Sequence, residues 1–472
     1  MLAPEALALA VILAAVVILW VTEALPLPVT ALLGAAACVL AGVAPAKDVF
    51  RPFAEPLIFL FIGSFMLAEA IRVHGLDRRL AFGVLAVPWV GERPVRIMIA
   101  VAGVTAVISG FISNTATTAM MVTIVTGILA AIEDSARRAG RRADPGFAAG
   151  LMLCVAFAAS IGGLATPIGT PPNVIGLAFI RKELGVDVSF FAWCAIGVPV
   201  AAVLVAVAVG ILLRAFPAGV DRIEGVSRLV AEERSRQGAW SVGQRSTAVA
   251  FGVTVALWLL PGVLSLILGP TAPPSVWLAT RIPEGVAALV GAILLFILPG
   301  DAHPEGGRRP RALSWGDAAR IDWGIILLYG GGMALGELAF STGLAAAVGR
   351  GITAWLPSGG GDAPLVAAAA IVAVVTSEFT SNTASASMVV PVTIALANAA
   401  GGDALVAALA ATFAASLGFM MPVSTPCNAI VYGTGRVPLR AMLRSGAVLD
   451  VCGAIVITIA MLVVGRVWQA AP

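Results

Sequence analysis

Apolar runs of roughly 17–25 residues recur from end to end of the chain, each long enough to cross a hydrocarbon core about 30 Å thick. Ten full crossings are expected, over residues 4–20, 29–43, 57–73, 146–180, 190–215, 248–268, 285–299, 323–346, 403–435 and 441–467. Two further apolar stretches, 95–132 and 363–400, follow another pattern. Each is broken at its centre by a polar triplet, Ser113-Asn114-Thr115 in the first and Ser381-Asn382-Thr383 in the second. The fourth and ninth crossings are also interrupted, at Gly169-Thr170-Pro171-Pro172-Asn173 and Ser424-Thr425-Pro426-Cys427-Asn428. Proline there removes a backbone donor and clashes with the preceding turn, so those helices must unwind.

The interruptions repeat in register. The spacing that pairs the two triplets also pairs Ser109 with Ser377, Phe111 with Phe379, Glu69 with Glu337, and Gly75-Leu76 with Gly343-Leu344. The proline-containing breaks pair at a shorter spacing, and the deficit falls where the first half carries the loop 133–145. The chain therefore reads as two copies of one unit, each with five crossings and one polar-tipped segment.

Arginine placement orients the units. Basic loops occupy 72–96, 137–142, 222–245, 308–320 and 436–444. The first polar-tipped segment has basic flanks at both ends, as a hairpin that dips in from the cytoplasm and turns back would have. The second has Arg350 well before it and Gly401-Gly402-Asp403 after it, a poorly basic pair suited to the outside. Threading the spans through these flanks places both termini outside and turns the second unit upside down relative to the first. Inverted repeats with broken helices are a secondary-transporter signature. The expected fold class is an all-α polytopic membrane protein of two inverted-topology repeats, each with five transmembrane helices and one re-entrant helical hairpin.

Composition agrees. Of 472 residues 60% are hydrophobic and 12% charged, and mean hydropathy is +1.00, whereas soluble domains carry about 25% charged residues. The net charge of +3 comes from loop arginines, a topology signal that implies no nucleic-acid partner. Cys38, Cys154, Cys194, Cys427 and Cys452 show no paired spacing, so neither a disulfide framework nor a zinc site is indicated. Residues 1–20 lack a basic leader region and read as a first span of an integral membrane protein, expected in a bacterial inner (plasma) membrane. An intramembrane enzyme would need a nucleophile–base pair or metal ligands, and His74 and His303, read as helix-end and loop residues, stand near none. An ohmic anion channel is the remaining class, separated from a carrier by whether uptake saturates.

A Ser-Asn-Thr tip halfway into a bilayer needs a reason, because irregular backbone there must be satisfied by protein or by a water-filled cavity. The helix beginning after the tip, from Ala116 and from Ala384, offers free N–H groups and the positive end of a dipole, suited to an anion. Carbonyls at the end of the preceding helix, joined by Asn or Ser oxygens, can coordinate a small cation. The bland alternative is that Ser, Asn and Thr merely cap a hairpin, and that the prolines merely kink a packed helix; matched positions in both units weigh against each. Neither tip and neither break contains Lys or Arg, so a bound cation would form part of the anion site and couple the two. Glu378 stands three residues before the second triplet, where the first unit has Gly110; a functional role and a structural one bonding the hairpin are both open. Glu69 and Glu337 read as ties between scaffold helices, and Gly330-Gly331-Gly332 as a close-packing stripe.

The segments Ile112-Ser113-Asn114-Thr115-Ala116-Thr117-Thr118-Ala119-Met120, Glu378-Phe379-Thr380-Ser381-Asn382-Thr383-Ala384, Ile168-Gly169-Thr170-Pro171-Pro172-Asn173 and Glu23-Ala24-Leu25-Pro26-Leu27-Pro28-Val29-Thr30 resemble the divalent anion/sodium symporter family, which includes sodium/dicarboxylate, citrate and sulfate cotransporters. The resemblance covers essentially the whole chain. It implies a homodimer whose protomers divide into a scaffold (1–94 and 248–350) and a mobile transport domain (95–216 and 351–472), joined by a cytoplasmic linker (217–247), with elevator-like transport. It also implies substrate contacts from Ser113, Asn114, Thr115, Thr170, Pro171, Ser381, Asn382, Thr383, Thr425 and Pro426. One sodium site would comprise Ser109, Ser113, Asn114 and Gly169; the other, Ser377, Asn382 and Ser424. The expected activity is sodium-coupled import of a C4-dicarboxylate, with a sodium-independent dicarboxylate exchanger as the alternative and citrate or sulfate as other substrates. Two features depart from the family pattern: ten crossings are read where eleven are common, and Cys427 stands where a second proline is usual.

Overall fold

Proline and capping side chains set where the helices begin. Proline occupies the first or second position of Pro4–Thr22, Leu27–Leu40, Pro56–Val73, Pro94–Ser109, Pro145–Gly162, Pro171–Leu184, Pro273–Arg281 and Pro426–Gly433, where its missing N–H has no helical partner to lose. Side chains start others: Ser189, Asp322, Asp403, and Ser241 in a reciprocal capping box with Gln244. The computed structural model describes residues 3–138, 144–220, 222–223, 225–301, 310–353 and 361–470. His303, Arg141, Arg142 and Arg308 lie outside them. Within the described residues the fold is helical, with a single isolated β-bridge between Pro299 and Arg311.

Among the described residues ten helices are long and apolar enough to cross a membrane, and the pair Pro273–Arg281 and Glu284–Ile297, bent by 65°, makes an eleventh when taken as one span. This set differs in membership from the ten crossings expected. It includes Asn114–Arg138, Asp362–Phe379 and Asn382–Ala400, the arms of the polar-tipped segments. It leaves out Leu27–Leu40, whose 14 residues extend about 21 Å at 1.5 Å per residue. It also leaves out the ninth crossing, whose helices Ala404–Ala414 and Pro426–Gly433 have 11 and 8 residues. Proline and glycine divide these spans into pieces shorter than a crossing, a division that hydropathy averages out.

One group of helices is formed by Pro4–Thr22, Leu27–Leu40, Pro56–Val73, Val242–Leu268, Glu284–Ile297 and Trp323–Ser341, packed pairwise on one another. The glycine stripe in Trp323–Ser341 lets it approach closely: a Cβ on Gly331 would lie 2.6 Å from that of Ala31, and one on Gly330 2.4 Å from the Phe53 ring. A second group surrounds Pro145–Gly162 and Ala404–Ala414, the two most enclosed helices, in which nearly every residue is buried. Here Gly162 meets the backbone of Pro94–Ser109, and a Cβ would fall 2.3 Å from the Ala106 carbonyl oxygen. Backbone cannot swing aside, so Gly162→Ala is expected to lower stability by about 1–3 kcal/mol, read as a lower thermal midpoint of the purified protein.

The charged residues divide differently from the sequence reading. Glu69 pairs with Arg72 of its own helix, and among the described residues it is bonded to no second helix. Glu337 reaches Lys182 at 3.1 Å, joining Trp323–Ser341 to Pro171–Leu184. His74, at the end of Pro56–Val73, hydrogen-bonds Asp301 at 3.2 Å and the Ala312 carbonyl at 2.6 Å, closing three chain segments at one end of the bundle. Burial pushes the Asp301 carboxyl up, but bonds from the Gly243 N–H, the Ser241 hydroxyl and His74 outweigh it and hold it below the ordinary carboxylate range.

Candidate functional site

The helix Pro94–Ser109 ends where the triplet begins, and Asn114–Arg138 starts on the triplet's asparagine. Ser109 and Asn114 therefore face each other across the turn. The Ser109 hydroxyl donates to the Ala159 carbonyl at 2.6 Å. The Asn114 amide, oriented to satisfy its neighbours, donates to Ser109 Oγ at 2.7 Å, to Ala159 O at 3.1 Å and to Gly169 O at 3.2 Å. The Gly169 carbonyl is available because Pro145–Gly162 stops at Gly162 and helix resumes only at Pro171, whereas Ala159 O also accepts the Gly163 N–H at 3.2 Å. Two glycines keep the space open: a Cβ on Gly163 would lie 2.7 Å from the Asn114 amide, and one on Gly169 would lie 2.5 Å from Gly163 O. The break itself is held by Asn173, whose amide donates to Gly163 O and Thr166 O, both at 2.8 Å. The Thr166 hydroxyl bonds the Gly110 carbonyl, fastening break to hairpin.

The second half builds the same arrangement. Asp362–Phe379 folds back on Asn382–Ala400, with the Ser385 hydroxyl donating to Ala373 O across the hairpin at 3.1 Å. Ser377 Oγ meets Asn382 Oδ1 at 2.7 Å and Ala415 O at 2.8 Å, and the Asn382 amide donates to Ser416 O at 3.3 Å. Asn428 bridges Gly418 O and Met421 O at 3.0 and 2.9 Å, as Asn173 does in the first half. Both asparagine oxygens, Asn173 Oδ1 and Asn428 Oδ1, are buried and accept no hydrogen bond from the described residues.

Each half docks its resumed helix on the other half. Pro426–Gly433 packs against Asn114–Arg138 and Pro145–Gly162, while Pro171–Leu184 packs against Asn382–Ala400 and Ala404–Ala414. Phe157 and Phe419 meet edge-to-face at 5.2 Å, and Trp193 stacks on Phe413 at 4.5 Å. Both hairpins and both breaks thus belong to one assembly.

The residues singled out from sequence take distinct positions in it. Ser109, Asn114 and Gly169 come together; Ser113 and Thr115 are exposed at the first tip. Ser377 and Asn382 come together, but the Ser424 hydroxyl turns to Glu378, bonding its carbonyl at 3.0 Å and its carboxylate at 2.6 Å. Ser381 and Thr425 spend their oxygens as helix caps, accepting from Ala384 N–H and Asn428 N–H at 3.2 Å each. For these two the capping role is real. Thr170 stands at the cap position of Pro171–Leu184 without making that bond, so its hydroxyl is uncommitted to the helix. Thr383 and Pro171 are half-buried and Pro426 is exposed.

Sequence reasoning gave Asn173 and Asn428 no role. They could have been found, since they recur at matched places in both breaks. Chemically, each tip gathers hydroxyl, amide and carbonyl oxygens beside a helix N-terminus, a set that can hold a small hard cation next to an anion.

Comparison with known proteins places this architecture. The sodium-dependent dicarboxylate transporter SdcS of Staphylococcus saprophyticus is 30% identical over 446 residues, covering 93% of this chain and 82% of that protein. SdcS of Staphylococcus aureus is 30% identical over 444 residues with the same coverage. Among solved structures, the Alcanivorax borkumensis YdaH transporter aligns with TM-score 0.57 at 14% identity, over 92% of this chain and 89% of that one. Neisseria gonorrhoeae MtrF aligns with TM-score 0.56 at 12% identity, over 90% and 83%. At such identities the likeness is one of fold. The family model described as the sodium:sulfate symporter transmembrane region matches residues 1–470, and this chain, an integral membrane protein, belongs to that family.

Proposed function

We propose that the protein imports small divalent anions, C4-dicarboxylates such as succinate above all, across the bacterial plasma membrane, driven by sodium. The observation that carries this reading is the pair of matched Ser–Asn constellations, Ser109 with Asn114 and Ser377 with Asn382, each set among backbone carbonyls at the end of a broken helix. Sodium is a hard cation that takes such oxygens. Its charge beside the N-termini of Asn114–Arg138 and Asn382–Ala400 offsets the absence of Lys and Arg in the tips. Anion binding then requires the cation, which is the physical content of coupling. The dicarboxylate preference is supported by the 30% identity to SdcS proteins, and sulfate is the competing substrate suggested by the family description.

The same reading takes the two halves as inverted repeats with re-entrant hairpins, and the site as part of a domain (95–216 and 351–472) that moves past a scaffold (1–94 and 248–350) in a homodimer. The exposed Ser113 and Thr115, the uncommitted Thr170 hydroxyl, and Thr383 are the substrate contacts on this reading. Ser381 and Thr425 contribute through the helix ends they cap. Ser424 contributes to the second sodium site through its backbone, because its hydroxyl is occupied by Glu378.

Succinate uptake into proteoliposomes is expected to require an inward sodium gradient and to fall to background when choline replaces sodium. Uptake that persists in choline and responds only to internal dicarboxylate would identify a sodium-independent exchanger instead. A thermal-shift panel of dicarboxylates, citrate and sulfate, with and without sodium, assigns the substrate.

A further inference from the structure

The two halves match in sequence but differ in which ion pairs they make. Glu69 and Glu337 stand at the spacing that pairs the two triplets (337 − 69 = 381 − 113). Arg181 and Arg436 stand at the spacing that pairs the two breaks (436 − 181 = 425 − 170), and Lys182 adjoins the first of them. Glu337 meets Lys182 at 3.1 Å, an ion pair from Trp323–Ser341 to the last turn of the helix that resumes after the first break. The counterpart pair is not made. Glu69, whose side chain is 12% exposed, bonds Arg72 of its own helix, while Arg436 bonds Glu133 of Asn114–Arg138 at 2.5 Å.

Apolar packing is unequal in the same way. Pro171–Leu184 lies against Trp323–Ser341, so close that a Cβ on Gly336 would fall 2.3 Å from the Phe179 ring. The packing of Pro426–Gly433 is on Asn114–Arg138 and Pro145–Gly162. At the matched places stand Ala68 and Thr434 (336 − 268 and 179 + 255). A methyl is added on one side and a ring removed on the other, so the counterpart helices have room for the same approach. The hairpin tips differ too: Phe111 meets Phe251 of Val242–Leu268 edge-to-face at 5.2 Å, whereas its match Phe379 is 61% exposed.

We infer that Glu69 and Arg436 are the positioning pair of a second access state, the counterpart of Glu337 and Lys182 in this one. The inference rests on the reading of the halves as inverted repeats around a moving domain, and adds to it the residues whose contacts alternate. Matched halves that hold the remaining helices unequally are what such a repeat presents at one end of its travel, with the contacts of one half made and those of the other open. When the group carrying the hairpins moves, Lys182 parts from Glu337, Arg436 leaves Glu133, and Glu69 exchanges Arg72 for Arg436. A largely buried carboxylate thus keeps a cationic partner in both states, as a charge at that depth requires.

Cross-linking of the purified full-length protein tests this without a transport assay. In the double variant Glu69→Cys/Arg436→Cys, a short bis-thiol reagent is expected to join the two positions, identified by mass spectrometry of the linked peptides. Lys182→Cys/Glu337→Cys is expected to be joined as well. Adding Glu337→Gln to the first variant releases the state seen here and is expected to raise its cross-linked yield by about twofold or more. Absence of the link between positions 69 and 436 overturns the inference. A double-mutant cycle on succinate uptake gives the second measurement, and decides alone if the cysteine variant loses its folded gel-filtration profile. Glu69→Gln and Arg436→Gln are each expected to slow uptake about threefold, and the double variant little further, because members of one pair are coupled. Losses that multiply as independent effects overturn it. If wild type carries no succinate, the transport reading fails, while the cross-link still decides the exchange of partners.

Discussion

Asn114→Ala and Asn382→Ala are each expected to reduce uptake by about a hundredfold or more while leaving the protein folded. The two asparagines sit on the first residue of the second hairpin arm, half-exposed, and each side chain spans from its own hairpin to the broken helix behind it. Removing one leaves a serine hydroxyl and backbone carbonyls without the group that fixes their spacing. Each hydrogen bond that works on a charged partner contributes about 1.5–3 kcal/mol, and at 1.4 kcal/mol per factor of ten a few such contacts account for the loss. The hairpin arms keep their apolar packing, so gel-filtration profile and thermal midpoint should stay near wild type. Wild-type uptake by either variant would remove both asparagines from the transport site.

Asn173→Leu and Asn428→Leu are expected to do the opposite: lower the thermal midpoint and the yield of folded protein. Each amide donates to two carbonyls inside a helix break, and each residue is fully buried. Leucine fills a similar space but donates nothing, so two buried carbonyls lose their partners, at about 1–3 kcal/mol each. The asparagine oxygen accepts no bond from the described residues, so its loss offsets little. Unchanged midpoints in both variants would mean that the breaks are held by packing alone.

Much of this was legible in the residues themselves. Long apolar runs can be accommodated only in a membrane, and a proline pair or a Ser-Asn-Thr triplet inside such a run must interrupt a helix whatever surrounds it. Hence the stops at Ser109, Gly162 and Phe379 and the starts at Asn114, Pro171, Asn382 and Pro426 fall where the sequence breaks its pattern. These are local effects of backbone chemistry, and local chemistry is what a sequence states directly. Which pieces count as crossings was less legible, because Leu27–Leu40 is apolar throughout yet shorter than a bilayer.

Partner choice belonged to the tertiary structure. Nothing in the spacing of Glu69 distinguishes a neighbour on its own helix from one on another. Ser424 and Thr425 are adjacent hydroxyls, yet one serves Glu378 and the other caps a helix. His74 and Asp301 stand far apart in the chain and meet at 3.2 Å only because the ends of their segments are laid together. Side-chain hydrogen bonds reach about 3 Å, so their partners are decided by how helices are laid against one another, after the chain has already determined where each helix begins and ends.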